Sequence, residues 1–146
     1  MGVTMNGLKI NSVEQLIQGI GALPGEILLV SIGDTVRVRA AIEYRGPALS
    51  DIFYVAIGNR IVFFDEIWVG SVPISFPQST DWQAYELTAD VLISEIGLAP
   101  WTPGRFDLYV KLVNNPGIGM PELSNVIEVM LRAEFRDFRI TGYDLG

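Results

Sequence analysis

Apolar and polar residues alternate along residues 35–45 with one exception, Ala41, and this period of two constrains the fold more than any other feature of the sequence. One side of an extended chain would carry the apolar residues Val36, Val38, Ala40, Ile42 and Tyr44. The opposite side would carry three arginines and a glutamate. Because successive side chains of a β-strand point to opposite faces, the segment is predicted to be a strand with one buried and one solvent-facing side.

Short apolar segments of this kind recur about every 10 to 15 residues and are separated by Gly, Pro, Asn and Asp, which is typical of all-β domains. Further strands are predicted over residues 26–32, 51–58, 61–69, 85–93, 105–113 and 125–132. A hairpin turn is expected at Gly58-Asn59-Arg60, because Gly and Asn tolerate positive φ. Residues 8–13 alternate and favour a strand, while a short helix over residues 12–20 remains the alternative.

About seven strands is the number that an immunoglobulin-like sandwich requires, and a strand over residues 135–143 would be the eighth. We therefore expect an all-β chain, an immunoglobulin-like β-sandwich of about 7–8 strands. Residues 1–146 would form a single domain, with extension segments at 1–25 and 133–146. Hydrophobic residues make up 49% of the chain and charged residues 18%, which indicates a folded chain rather than a disordered one.

The sequence contains no histidine and no cysteine. Serine and cysteine triads, histidine acid-base chemistry and nearly all transition-metal sites need one of these residues. We therefore expect no catalytic residues, no metal site and no cofactor, and predict that the chain is not an enzyme. The formal charge of -7 argues against nucleic acid as a partner, because phosphate binding depends on clustered Lys and Arg. No apolar run is long enough for membrane insertion, and no secretory signal is recognisable.

Carboxylates are the remaining side chains that could act as a catalytic acid and base, and a hydrolase would need two of them close together. The pairs considered are Asp65 with Glu66 and Asp81 with Glu86, with Asp51 as a single further carboxylate. Neighbouring residues of a strand point to opposite faces, so Asp65 and Glu66 are interpreted as surface residues. An oxygen-ligand calcium site, if present, would lie in the loop at residues 114–125 and use Glu122.

Three segments carry a resemblance to a known family. They are Gly33-Asp34-Thr35-Val36-Arg37-Val38, Pro103-Gly104-Arg105-Phe106-Asp107-Leu108-Tyr109-Val110 and Pro121-Glu122-Leu123-Ser124-Asn125. From residue 30 to residue 131 their order resembles the bacterial and archaeal adhesion-related CARDB domains and the wider class of fibronectin-type immunoglobulin-like β-sandwich domains. The resemblance implies a sandwich fold.

These observations favour a non-enzymatic structural or assembly module, for example a phage virion protein of the capsid decoration or tail, or a surface filament subunit. The alternative is an adhesion domain that binds a carbohydrate or a receptor. The expected partner is another copy of the chain or a larger protein assembly, with a glycan as the alternative. The expected location is a virion, or the extracellular space and cell surface.

The assembly interface is predicted from apolar residues in excess of what one core needs. Residues 52–57 and 61–69 are apolar on both faces, whereas a sandwich strand buries only one. Residues 135–143 carry more apolar surface than a free tail should expose in water, and would add to a sheet edge. The predicted interface residues are Phe63, Trp68, Phe135, Phe138, Ile140 and Tyr143.

Overall fold

The computed structural model describes residues 4–15, 20–22, 25–60, 64–94, 104–130 and 135–146, with side chains in 25–59, 66–94, 104–130 and 135–146. This part of the chain is all-β, with one single-turn 3-10 helix at Pro116–Ile118. The strands are β1 Thr4–Gln15, β2 Ile20–Ala22, β3 Leu28–Ser31, β4 Thr35–Gly46, β5 Leu49–Arg60, β6 Phe64–Phe76, β7 Ser79–Leu92, β8 Gly104–Leu112 and β9 Glu122–Met130. No helix in these residues is long and apolar enough to cross a membrane.

The strands form two sheets. One sheet has the order β2-β1-β4-β7, and the other has the order β3-β9-β8-β5-β6. Within the described strands, β3 and β9 are paired in parallel, whereas all other pairs are antiparallel. The five-stranded sheet is therefore mixed, which the sequence pattern did not predict.

The alternating pattern places the core as expected. All five apolar residues of the β4 pattern are at most 2% exposed. Leu87, Ala89 and Val91 of β7 are also buried, as are Ile127 and Val129 of β9. Together with apolar side chains of β3, β5, β6 and β8 they form one hydrophobic cluster shared by the two sheets. The predicted inward faces of these strands are confirmed.

Residues 8–13 lie within β1, so the favoured strand is confirmed, and no helix occupies the described residues of the alternative 12–20 segment. Two other local predictions are wrong. Gly58-Asn59-Arg60 is not a turn, because these residues pair with β6 after a register shift at Ile57. Residues 135–146 form no strand. In each case the outcome depends on which backbone segments pair with one another. Local residue preference carries no information about that pairing.

Ion pairs cross the solvent-facing side of the four-stranded sheet, between β4 and β7. Arg37 Nε lies 3.1 Å from Asp90 Oδ1, and these residues are direct cross-strand partners. Arg39 Nε lies 3.8 Å from Glu86 Oε1. All four side chains are partly exposed, so each pair contributes only a few tenths of a kcal/mol up to about 1 kcal/mol.

Candidate functional site

The predicted interface residues fall into three groups. Phe63 lies outside the described residues. Trp68 is buried in the core at 3% exposure, where its Nε1 donates to the Ser94 carbonyl at 2.9 Å and its ring meets the edge of Phe106 at 5.2 Å. These contacts occupy the indole within its own domain. The remaining four, Phe135, Phe138, Ile140 and Tyr143, all lie in the segment 135–146.

We call residues 135–146 the C-terminal segment. Every residue in it is exposed, and it takes part in neither of the two sheets. Its large apolar side chains are between 87% and 106% exposed: Phe135, Phe138, Ile140, Tyr143 and Leu145. The sequence analysis did not include Leu145, although it continues the same apolar series. The backbone of Asp137 is left-handed with φ 52°, a conformation that aspartate tolerates better than most residues.

Among the side chains that the structure describes, the carboxylates considered for hydrolysis are not brought together as a catalytic pair. Asp51 is 3% exposed and accepts hydrogen bonds from protein N–H groups only. Glu86 lies on the four-stranded sheet, not on the sheet of Asp51, and pairs there with Arg39. Asp81 is exposed, and its backbone bonds to the Ser79 hydroxyl. The side chain of Asp65 lies outside the described residues.

Glu66 is the centre of a polar cluster on the outer side of the five-stranded sheet, which the sequence analysis did not predict. The hydroxyls of Tyr54 on β5 and Tyr109 on β8 both donate to its carboxylate. The two rings lie 6.5 Å apart, and Lys111 Nζ lies 4.8 Å from the centre of the Tyr54 ring. Tyr109 is only 5% exposed.

This cluster changes the acidity of one tyrosine. Burial raises the pKa of Tyr54 from its ordinary value of 10.0 to about 12, and the hydrogen bond and the negative charge of Glu66 act in the same direction. Both effects favour the neutral phenol that donates to the carboxylate. The cluster holds three strands together through side chains that all have partners, so it is a structural cross-link rather than an open site.

The raised pKa predicts how stability depends on pH. A tyrosine whose pKa is higher in the folded state contributes stability that is fully present below pH 10.0 and is lost as the pH rises through about 12. An alkaline titration followed by absorbance at 295 nm should therefore contain a component at about pH 12 that is missing in Tyr54→Phe. The matched control Tyr143→Phe removes a tyrosine outside the cluster and should leave that component in place. An unchanged titration of Tyr54→Phe would contradict the assignment.

The loop considered for calcium is organised by other contacts. Asn115 Nδ2 donates to Asp51 Oδ2 at 2.5 Å, and Pro116–Ile118 forms the 3-10 helix. Glu122 lies opposite Tyr109 in the sheet. Among the described residues there is no group of three His, Cys, Asp or Glu side chains that could hold a metal ion.

A shallow groove of about 350 Å³ lies between β6 and β7, with Ser71, Val72 and Thr88 among the residues that line it. The cationic side chain in this groove, Arg37, is already paired with Asp90. The groove therefore presents no unpaired charge to a ligand. The exposed apolar side chains of the C-terminal segment are the more distinctive feature of the surface.

Comparisons with known proteins give little similarity. No protein-family model matches the sequence, and no curated protein matches it. Among solved structures, the chain is similar to the alkylpurine DNA glycosylase AlkC of Pseudomonas fluorescens bound to DNA containing an abasic site analog. The identity is 14%, the TM-score is 0.45, and the match covers 87% of this chain and 31% of the glycosylase. At these values, neither the activity nor the DNA of that complex carries over to this chain.

The resemblance to CARDB and fibronectin-type domains does not hold as a family assignment, because no family model matches the sequence. The residues behind the resemblance make generic β features. Asp34 Oδ2 accepts the Ser31 N–H at 2.8 Å in a turn, and residues 121–125 lead into β9. Features of this kind occur wherever a turn precedes a strand, so they do not identify a family.

Three functional predictions are corrected, because no comparison supports them: a non-enzymatic structural, virion, filament or adhesion module, the absence of enzymatic activity, and a partner list that excludes nucleic acid. In physical terms, these exclusions were too broad. A lack of His and Cys leaves carboxylate chemistry open, and the charge of -7 describes the whole chain rather than any local surface.

Proposed function

We propose that the chain is a protein-docking domain, which presents its C-terminal segment to another folded protein. The observation that carries this proposal is the exposure of five large apolar side chains within twelve residues. Burying one such side chain fully is worth about 1.5 to 3 kcal/mol. Soluble proteins rarely leave so many large apolar side chains close together in water unless they bind a partner.

We also propose that the two sheets form an immunoglobulin-like sandwich that supports this segment. Strands β1, β4 and β7 have the order of strands A, B and E, and β9, β8, β5 and β6 have the order of G, F, C and C′. The single hydrophobic cluster shared by the sheets supports this arrangement. A location on a virion or at the cell surface stays a prediction from the sequence.

The described core does not include the C-terminal segment. The hydrophobic cluster draws its residues from β3 to β9 and ends at Val129. In the described residues, no buried side-chain nitrogen or oxygen lacks a hydrogen-bond partner. The buried polar groups and the hydrophobic cluster of the described core therefore have their partners without residues 135–146. The apolar side chains of residues 135–146 are available to a second protein.

Site-specific photo-cross-linking tests the proposal. The cross-linker p-benzoylphenylalanine is placed at Phe138 in the full chain, expressed in the cells that produce it. We expect one discrete adduct with a different protein, because the ring of Phe138 would be buried against that protein. With the cross-linker moved to Tyr143, the double variant Phe138→Asp, Ile140→Asp should give at least tenfold less adduct than the same cross-linker without the two substitutions. The same double variant should change the free energy of unfolding by less than about 0.5 kcal/mol.

The matched control places the cross-linker at Met120, an apolar residue that is 51% exposed outside the C-terminal segment. It should give no discrete adduct. Equal adducts at Met120 and Phe138 would show non-specific contact and contradict the proposal. An adduct of the chain only with itself, or no adduct at all, would also contradict docking to another protein.

A further inference from the structure

The apolar residues of the C-terminal segment come in two pairs. Phe138 and Ile140 are two residues apart, and so are Tyr143 and Leu145. In an extended chain each pair would lie on one side. The two pairs differ in parity, however, so a regular strand would place them on opposite sides. Gly142 lies at the change of parity.

A docking helix does not fit this spacing. At 100° per residue the five apolar side chains of the segment would be spread over about 220° of the helix circumference. An amphipathic helix that binds in a groove concentrates its apolar residues in a narrower stripe. Ile140 and Thr141 are β-branched and Gly142 disfavours a helix, so local preference also indicates an extended conformation.

We propose that the C-terminal segment docks by adding one strand to the free edge of a β-sheet in its partner, with a β-bulge at Gly142. This inference rests on the proposed docking function and specifies its mode. A bulge inserts one extra residue, and glycine adopts the left-handed conformation that the commonest glycine bulge needs. After the bulge, Tyr143 and Leu145 return to the side of Phe138 and Ile140.

The bulge makes the segment fully amphipathic. The side opposite the apolar pairs then carries Arg139, Thr141 and Asp144. The left-handed backbone at Asp137 is a second irregular point. In the docked strand it would place Phe135 on the apolar side in the same way. The partner is therefore a protein with an exposed edge strand beside an apolar surface. Its edge would pair with backbone groups of the segment that take part in neither sheet of this chain.

A positional scan tests the mode of docking. The cross-linker is placed at each position from 135 to 146 in turn, in the full chain and in the producing cells. Strand addition with a bulge predicts strong adducts at positions 138, 140, 143 and 145 and weak adducts at 139, 141 and 144. The substitution Gly142→Val should reduce the adduct at position 138 about tenfold, because a β-branched residue resists the left-handed conformation. The control Thr141→Val, with no change of backbone preference, should not.

Other patterns have distinct meanings. A period of 3.6 residues, or equal adducts at all positions, would overturn strand addition while leaving docking itself intact. Strict alternation without a shift at Gly142, or equal effects of Gly142→Val and Thr141→Val, would overturn the bulge. The absence of adducts at every position would overturn the docking function together with its mode.

Discussion

Replacing Gly70 by alanine should destabilise the domain by roughly 3 kcal/mol or more, one of the largest effects expected of any single methyl group in this chain. Gly70 lies on β6 where this edge strand passes over the backbone of β7. A Cβ atom at this position would lie 2.1 Å from the carbonyl oxygen of Asp90 and 3.2 Å from Val91 Cγ2. The carbonyl oxygen of Asp90 belongs to the backbone of β7, which is paired with β4. The strands would therefore have to separate to admit the methyl group.

Gly104→Ala is the matched control, because Gly104 also lies in a strand but a Cβ there would meet nothing within 4 Å. That substitution should be neutral or slightly stabilising, since it restricts only the unfolded chain. Urea unfolding followed by circular dichroism measures both variants. If Gly70→Ala unfolds at the same urea concentration as Gly104→Ala, the close approach of β6 and β7 is not present in solution.

The strands were predictable because alternation is a local property. In β4 every second residue is buried, and the segments 85–93 and 105–113 behaved in the same way. Tyr109 marks the limit of this reasoning. In the alternation of β8 it shares the polar face of Asp107 and Lys111, yet it is only 5% exposed and donates to Glu66 on β6. That contact depends on which strands become neighbours, and a single strand's pattern does not report its neighbours.

Longer-range pairing also explains why Trp68, in the segment 61–69, lies in the core. The apolar residues of this segment were assigned to an interface because they fall on both faces of the predicted strand. In the structure β6 runs on to residue 76, with Trp68 and Phe76 both buried on the core side and Val69 exposed. Part of the apolar excess is thus buried in the domain's own core. In the C-terminal segment no such packing occurs, and its interface role stays a proposal.

Asp51 shows a further property that the sequence did not reveal, because it was considered only as a catalytic carboxylate. Its Oδ1 accepts the backbone N–H of Ile52 at 2.6 Å and that of Asn114 at 2.9 Å. Its Oδ2 accepts from the side-chain amide of Asn115 at 2.5 Å. One buried side chain therefore connects the start of β5 to the turn that follows β8, across 63 residues of sequence.

Asp51→Ala should cost about 1 to 3 kcal/mol, because it removes a buried carboxylate and leaves three part-buried donors without that acceptor. Asp51→Asn keeps one oxygen for the two backbone donors but turns an amide toward Asn115, so we expect an intermediate loss. The matched control is Asp81→Ala at an exposed position, where the change should stay within about 0.5 kcal/mol. Urea unfolding gives the three values. The order Ala, Asn, control is the expected ranking of destabilisation, and an Asp51→Ala variant as stable as the control would show that the turn is held by other contacts.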